Sequence, residues 1–515
     1  MSESNQDPLL GNSENAKQNN ENNEVPEGED FNPNDHVAQE YDVGNLNPEE
    51  SKLGKDSAPL RILKDSFGPF LGEIVSASYV FVDAFWISKY VGTEGNAVTV
   101  IANILDNLCR SFGFFMKESA ASHFSRLHGE GRKDEIPHLF ADLFCLCLIF
   151  GVLVPLIFIP LNWPLEKLFK VEEKKMNREY VFPLILSCFS ICINQLLNGC
   201  LQSEGRNFIY GISQICSAVL NMCVFDPLFM GPCKLGILGA SLSTVVSEFL
   251  VQFTLFCLFL SGNFFDTKID LKLAFKKWSP EVWPAVKIGI SKFISHISFF
   301  IPTFFSRGYG VRCAANENEK AAMQYSMNLW YFGYTYSQAI YSSYLPAASY
   351  AHGRQDFKRM LNLLIVSIAY VLIWCGFAEV VILSLRNIYP KIYTNDYDLI
   401  ITTGKMIFTS YLATVLMGLV YVAESTLMSL EMTGKCMILS VLSELVPVPL
   451  FSTILYFSMK NKKSIVTLFY MYTCNDAFAG LVSLFFLIDP IVKLRRLIKG
   501  INPVPLITEN MLKST

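Results

Sequence analysis

LQSEGRNFIYGISQICSAVLNMCVFDPLFMGPCKLGILGASLSTVVS, residues 201–247, holds one complete apolar run and the first part of a second, parted by a Gly-Pro turn, with an aspartate inside the first. Each run, 207–230 and 235–262, reaches the ~20 residues that a helix needs to cross a ~30 Å hydrocarbon core. Working outward, ten further stretches have the same character: 68–90, 95–116, 136–160 and 181–202 before them, then 284–306, 322–345, 361–385, 401–423, 436–458 and 464–488. A charge inside such a run costs about 2.5–3.5 kcal/mol on insertion scales and usually marks an ion or substrate path. Asp226 is one such charge, and Asp83 in the first run is another.

Composition agrees. The 515 residues are 51% hydrophobic, with 41 Phe and a mean hydropathy of +0.32, which excludes a soluble enzyme and places most of the mass in lipid. No Gly-Lys-Ser type phosphate loop is present, so pumping by nucleotide hydrolysis is not expected. An even number of spans puts both termini on one side, and the excess of Lys and Arg in the loops of that side makes it cytoplasmic. The 14 Cys form no framework; most lie within spans as small apolar fillers, and Cys233 and Cys313 in predicted outer loops read as a free pair. Residues 1–62 are acidic, rich in Asn and Ser and poor in apolar groups, which predicts a disordered cytoplasmic tail with no signal peptide.

Short loop motifs repeat. Gly131-Arg132-Lys133-Asp134 after the second span is matched by Gly353-Arg354-Gln355-Asp356 after the eighth, and Gly205-Arg206 after the fourth by Gly434-Lys435 after the tenth. The reading is an all-α polytopic membrane protein of 12 transmembrane helices. They form two six-helix lobes related by a pseudo-two-fold axis along the membrane normal. Residues 63–263 form the N-lobe, 264–283 a cytoplasmic linker, 284–490 the C-lobe and 491–515 a cytoplasmic C-terminal tail.

Residues 201–247, together with FVDAFWISKYVGTEGNAVTVIA from Phe81, resemble the fifth and sixth helices and the first helix of the multidrug and toxic compound extrusion (MATE) antiporters. IYPKIYTND from Ile388 and AASYAHGRQDFKR from Ala347 are similar to that family's second-half loops. Carried over residue by residue, the resemblance is closest to the DinF-type branch. It implies that Asp83, Asp226 and Thr244, with Asn221 beside them, form a cation or proton site in the N-lobe, and that Pro69 lets the first helix bend. The pattern is not intact: the family's Asn four residues before the DP aspartate is Met222 here, Asn221 lying about 100° round an α-helix, and Val80 replaces a second Asn. A sodium site needs several neutral oxygens, whereas protonation of a carboxylate needs none, so the coupling ion expected is H+, with Na+ the alternative.

Glu73, Asp106, Glu424 and Glu444 are candidate secondary or substrate-cavity carboxylates, Glu73 lying about 15 Å along its helix from Asp83 and outside that cluster. The seventh span carries Lys287 and Lys292 where related branches carry a Glu. Aromatic residues crowd 299–305 and 330–344, most of them packing groups, some of them suited to stack on flat organic cations. The function implied is export of organic, cationic xenobiotics or metabolites in exchange for protons, by alternating access of the two lobes. A lipid or oligosaccharide flippase of the same superfamily, or a Na+-coupled exporter, is the alternative; a major-facilitator carrier fits the loop motif after the second span only in part. No metal, cofactor or nucleic acid is expected. The partners are the bilayer and small organic substrates, the oligomeric state is a monomer, and the location is a plasma or acidic-organelle membrane.

Overall fold

The computed structural model describes residues 52–168, 173–262, 264–274, 276–459 and 463–500. Every regular element in it is helical. A short α1 (Lys52–Lys55) precedes α2 (Ala58–Tyr90), α3 (Thr93–Glu130) and α4 (Ile136–Leu168); α5 (Lys174–Leu186) and α6 (Cys188–Ser203) form a pair bent by 43°. Then come α7 (Asn207–Val219), α8 (Asp226–Met230) and α9 (Ile237–Leu260). The later elements are α10 (Val282–Cys313), α11 (Glu317–Asn328), α12 (Trp330–Gly353), α13 (Phe357–Leu385) and α14 (Tyr397–Ser410). They are followed by α15 (Thr414–Met417), α16 (Leu419–Ser429), α17 (Thr433–Ser440), α18 (Pro447–Ser458), α19 (Ile465–Leu468) and α20 (Tyr470–Ile498).

Among the described residues seven helices are long and apolar enough to cross a membrane, nine if each bent pair is one span. The three expected spans that fall short are α2, α3 and α11–α12, and the packing gives the reason. α3 packs on α6, α10 and α12, and α2 on α7 and α12, so much of their surface is turned to protein, although α2 also leaves Leu60, Leu63, Phe67 and Phe85 exposed. They tolerate Glu73, Asp106, Lys117 and Glu118 for that reason. Lipid-facing positions elsewhere are apolar and open, as at Leu156, Ile373, Phe457 and Phe485.

Two hydrophobic clusters share most of the interior. One draws on residues from Ile87 to Ala285, the other on residues from Ile288 to Leu494 together with Leu53, Ala58 and Ile62. The helix ends repeat between these halves. After α3, Gly131 and Arg132 donate to the carbonyls of His128 and Leu127; after α12, Gln355 and Asp356 donate to those of His352 and Ala351. After α6, Gly205 and Arg206 donate to Gln202 and Leu201; after α16, Glu431 and Met432 donate to Met428 and Leu427. All four turns place a residue at positive φ: Gly131 (77°), Gln355 (57°), Gly205 (67°) and Glu431 (58°). The helix-end turns therefore recur, but the residues that match differ from those read in the sequence. Gly131 corresponds to Gln355, two places beyond Gly353, and Gly205 corresponds to Glu431, three places before Gly434, which lies inside α17. Gly-Arg and Gly-Lys recur near these turns, but the hydrogen bonds set the true register.

The helices also overrun the expected boundaries. α2 starts at Ala58 and α1 precedes it, so the last part of the tail expected over 1–62 is helical; its residues up to 51 lie outside the described residues. α20 continues through Pro490 to Ile498, eight residues beyond the expected end of the second lobe, and residues 501–515 are again outside the described set.

Two further irregularities matter for the site. A π-helical turn, Leu220–Phe225, separates α7 from α8, and another, Val441–Leu445, separates α17 from α18. Pro227 and Pro447 follow them, each after one intervening residue, Asp226 and Val446. A proline withholds its amide and its ring collides with the carbonyl four residues back, and widening the turn by one residue relieves both.

Candidate functional site

Asp226 sits where the π turn passes into α8 and is fully buried. One carboxylate oxygen accepts a hydrogen bond from the Ser243 hydroxyl on α9. Asn221, also buried, donates from Nδ2 to Ser243 Oγ at 3.2 Å and to Thr244 Oγ1 at 3.3 Å. Asp83 on α2 is 9% exposed and close enough to Asp226 for their charges to interact. The ring of Tyr180, on α5, lies within electrostatic range of Asp83, Asp106 and Asp226. Trp86, one turn beyond Asp83, donates from Nε1 to the carbonyl of Met222 at 3.0 Å, fixing α2 against the π turn. Asn221, Ser243, Thr244 and Asp226 are thus joined by hydrogen bonds, with Asp83 on α2 within electrostatic range.

One inference from the sequence needs correction here. Asn221 was expected about 100° away from the direction of Asp226, because an α-helix would put Met222 in the facing position. In the π turn the Asp226 amide bonds to the carbonyl of Asn221, five residues back, and that extra residue swings Asn221 onto the α9 side. The neutral oxygen that seemed lost is supplied from one position earlier. Oδ1 of Asn221, Oδ1 of Asp83 and Oδ2 of Asp226 are buried without hydrogen-bond partners in the described structure, and Asp83 and Asp226 form the charged part of that set. Ser243 escaped sequence reasoning; its one signal was its place beside Thr244 in GASLST.

The other carboxylates divide. Asp106 is held by Arg110 at 2.7 Å, and Arg110 also reaches Glu248 at 3.0 Å, so Asp106 belongs to an ion triad beside the pocket. Glu73 stands apart from Asp83 as expected and faces Lys117, which pairs with Glu118 at 3.2 Å on α3. In the second half, Glu424 accepts from Ser440 at 2.6 Å and Ser295 at 2.8 Å and meets Lys292 at 3.4 Å. Glu444, on the second π turn, shares Ser295 at 3.3 Å. The Lys292 ammonium lies 4.2 Å from the centre of the Tyr341 ring. Rings connect outward from this cluster: Tyr421 touches Tyr334, Tyr334 stacks on Trp330, and Trp330 meets Phe299. α2 runs unbroken through Pro69. Among the described residues no three or more His, Cys, Asp or Glu converge as a metal site, and all 14 cysteines, Cys233 and Cys313 included, are free.

Contacts between the halves concentrate on the face that carries the start of α2. Arg126 pairs with Glu130 and with Glu431, while Arg132 reaches Glu281 at 2.6 Å and His123 reaches the same carboxylate at 2.8 Å. Hydrogen bonding from His123, opposed by burial and reinforced by Arg132, holds Glu281 down at about 2. α3 and α12 touch backbone to backbone beneath these pairs: a Cβ on Gly353 would stand 2.3 Å from the carbonyl of Arg126. Ser122 and Ser349 meet across the same seam at 2.9 Å.

Buried carboxylates thus lie within the helical bundle, and ion pairs join its two halves on one face. Residues 70–226 match the MatE family model. The fold extends the likeness to the rest. An outward-facing multidrug-resistance MATE transporter of the MOP superfamily superposes with a TM-score of 0.78 at 17% identity, over 88% of this chain and 100% of that one. A MATE structure in the straight conformation gives 0.77 at 18%, over 88% and 99%. A MOP superfamily transporter from Pyrococcus furiosus, described for the reversed polarity of its binding pocket, gives 0.76 at 17%, again over 88% and 99%. No curated protein matches the chain.

Proposed function

We propose that this protein is a secondary antiporter that exports organic cations in exchange for protons, through alternating access of two six-helix lobes related by an axis along the membrane normal. The observation that carries the reading is the pair Asp83 and Asp226: both buried, Asp83 within electrostatic range of Asp226, each with one carboxylate oxygen unpartnered. Two like charges so placed repel in a medium that screens poorly, and one bound monovalent cation relieves the repulsion. Loading it changes the hydrogen-bond demands of α2 and of the π turn together, because Trp86 ties the two. The repeated helix ends support the two lobes, and the ion pairs around Glu281 describe a state closed on the face we take as cytoplasmic.

Sodium coupling is the second reading, and Asn221 favours it. With Asn221 Oδ1 in place, the pocket offers carboxylate, amide and hydroxyl oxygens of the kind that replace an ion's hydration shell. The flippase alternative loses its main support, since Lys292 is engaged by Glu424 and Lys287 is exposed near the start of α10. We place the protein as a monomer in a plasma or acidic-organelle membrane, with Glu424 and Glu444 on the substrate side of the second lobe.

The test is efflux of a fluorescent organic cation from proteoliposomes under an imposed pH or sodium gradient. A pH gradient alone is expected to drive export, and Asp83→Asn or Asp226→Asn to abolish the coupling. Export that follows sodium and ignores pH transfers the assignment to the second reading; export unchanged by both substitutions removes the pocket from the mechanism.

A further inference from the structure

A groove of about 530 Å³ opens where α2 begins and α13 begins, between the first helix of one half and a helix of the other. Its floor is Ala58 and Pro59, and its far wall is the face of α13 formed by Lys358, Asn362, Ile365 and Val366. The deep end is shut by Tyr370, whose hydroxyl donates to the carbonyl of Pro59 at 3.3 Å. Toward the membrane the groove runs onto exposed apolar surface: Ile365 is 56% exposed, and Leu60 and Leu63 on α2 are similarly open.

The charges at the mouth are not balanced. Asp356 also lines the groove, but its carboxylate already accepts from the Arg359 amide at 2.9 Å as the cap of α13. Asp56 is engaged by Lys64 at 3.4 Å. Arg359 donates to the carbonyls of Leu53 and Asp56, at 2.7 and 2.9 Å, fastening α1 to α13. Lys358 makes no ion pair among the described residues, and the Asn362 amide beside it is exposed. Lys55 adds a further exposed cation two residues before Ser57.

We propose that this groove binds the headgroup of an anionic phospholipid from the leaflet on this side of the membrane. The phosphate sits at Lys358 and Asn362, and the acyl chains lie along Ile365, Leu60 and Leu63. A cationic, amide-lined pocket of headgroup size, continuous with lipid-facing apolar surface at the end of a span, matches that ligand at both of its ends. A soluble phosphate compound matches only the polar end. Because the walls belong to different halves of the chain, the bound lipid strengthens the closure to which Arg359 already contributes. The site does not depend on the transport reading; it needs only that the start of α2 lies at a membrane surface.

Purified protein in nanodiscs of phosphatidylcholine with phosphatidylglycerol tests this, with co-purifying lipid counted by native mass spectrometry and unfolding followed thermally. Wild type is expected to retain one phosphatidylglycerol at least about fivefold in preference to phosphatidylcholine, and to be stabilised by it, since one basic side chain near an anionic surface is worth about 1 kcal/mol. Lys358→Glu should remove both effects, and Lys358→Arg should keep them. Asn362→Trp leaves the charge but fills the groove and should also displace the lipid. The proposal is overturned if wild type shows no headgroup preference, if Lys358→Glu and Asn362→Trp both leave the preference intact, or if glycerol phosphate in detergent binds as tightly as the lipid.

Discussion

Asn221 reaches Ser243 and Thr244 because the helix ahead of Asp226 is wound one residue looser than an α-helix, and two predictions follow from its position. Ser243→Ala removes the hydroxyl that donates to Asp226 and leaves a fully buried carboxylate oxygen without its donor. A buried polar group stripped of its partner costs about 1–3 kcal/mol, so a clear drop in thermal unfolding temperature is expected in detergent. Ser243→Thr should recover most of it. Asn221→Leu separates the two coupling readings: a proton needs no amide oxygen, so pH-driven export is expected to persist within a few-fold. Loss of all gradient-driven export in that variant, with folding intact, would mark Asn221 as a ligand of a larger ion. The two aspartates were legible in the sequence because a charge inside an apolar run stands out wherever it occurs. Ser243 was not, since one hydroxyl among the four of residues 241–247 carries no contrast in an apolar helix.

At the scale of the element, the turn after α12 holds Gln355 at φ 57°, in the position that glycine fills after α3 and α6. A side chain in the left-handed region costs roughly 1–2 kcal/mol, part of which a glycine gives back in unfolded-state entropy. Gln355→Gly is therefore expected to stabilise the protein by about 0.5–1 kcal/mol, read as a higher unfolding temperature with transport unchanged. No such gain is predicted at Glu431, whose side chain pairs with Arg126 across the seam. The elements themselves were read well from apolar runs, because lipid imposes a length and a polarity on each span that few substitutions can hide. What escaped was register: a π turn adds one residue without changing composition, and the capping hydrogen bonds fall two or three places from the Gly-Arg pairs that mimic them. α2, α3 and α12 lie in stretches expected as spans, yet their lack of apolar character has a cause visible only in three dimensions, namely that each packs against helices of the other half.

For the molecule as a whole, the question is whether the closed face itself responds to pH or merely follows the pocket. Glu281 gathers His123 and Arg132 from the first half onto the start of α10, and its carboxyl is held down at about 2 against an ordinary value near 4.5. A depressed carboxyl contributes stability that is fully present above its unfolded value and is lost only as pH falls through the folded one. The Glu281 carboxyl itself therefore stays ionised from pH 8 to pH 5, and its own protonation weakens the seam only between about 4.5 and 2. Protons acting on the cycle near neutrality do so at a group other than this carboxyl, and the pair Asp83 and Asp226 is the one proposed. A cysteine at Ser349, which lies in the seam against Ser122, reports closure by its rate of thiol labelling. In a wild-type background that rate is expected to stay flat from pH 8 to pH 5. Glu281→Gln should raise it at pH 7 by about five- to thirtyfold, because charged hydrogen bonds at a partly exposed site are worth about 1–2 kcal/mol and exist only in the closed state. If labelling in the wild-type background rises on acidification to pH 5 while Asp83→Asn and Asp226→Asn leave that rise intact, the seam and not the pocket is the proton sensor, and the order of events proposed for the transport cycle is reversed.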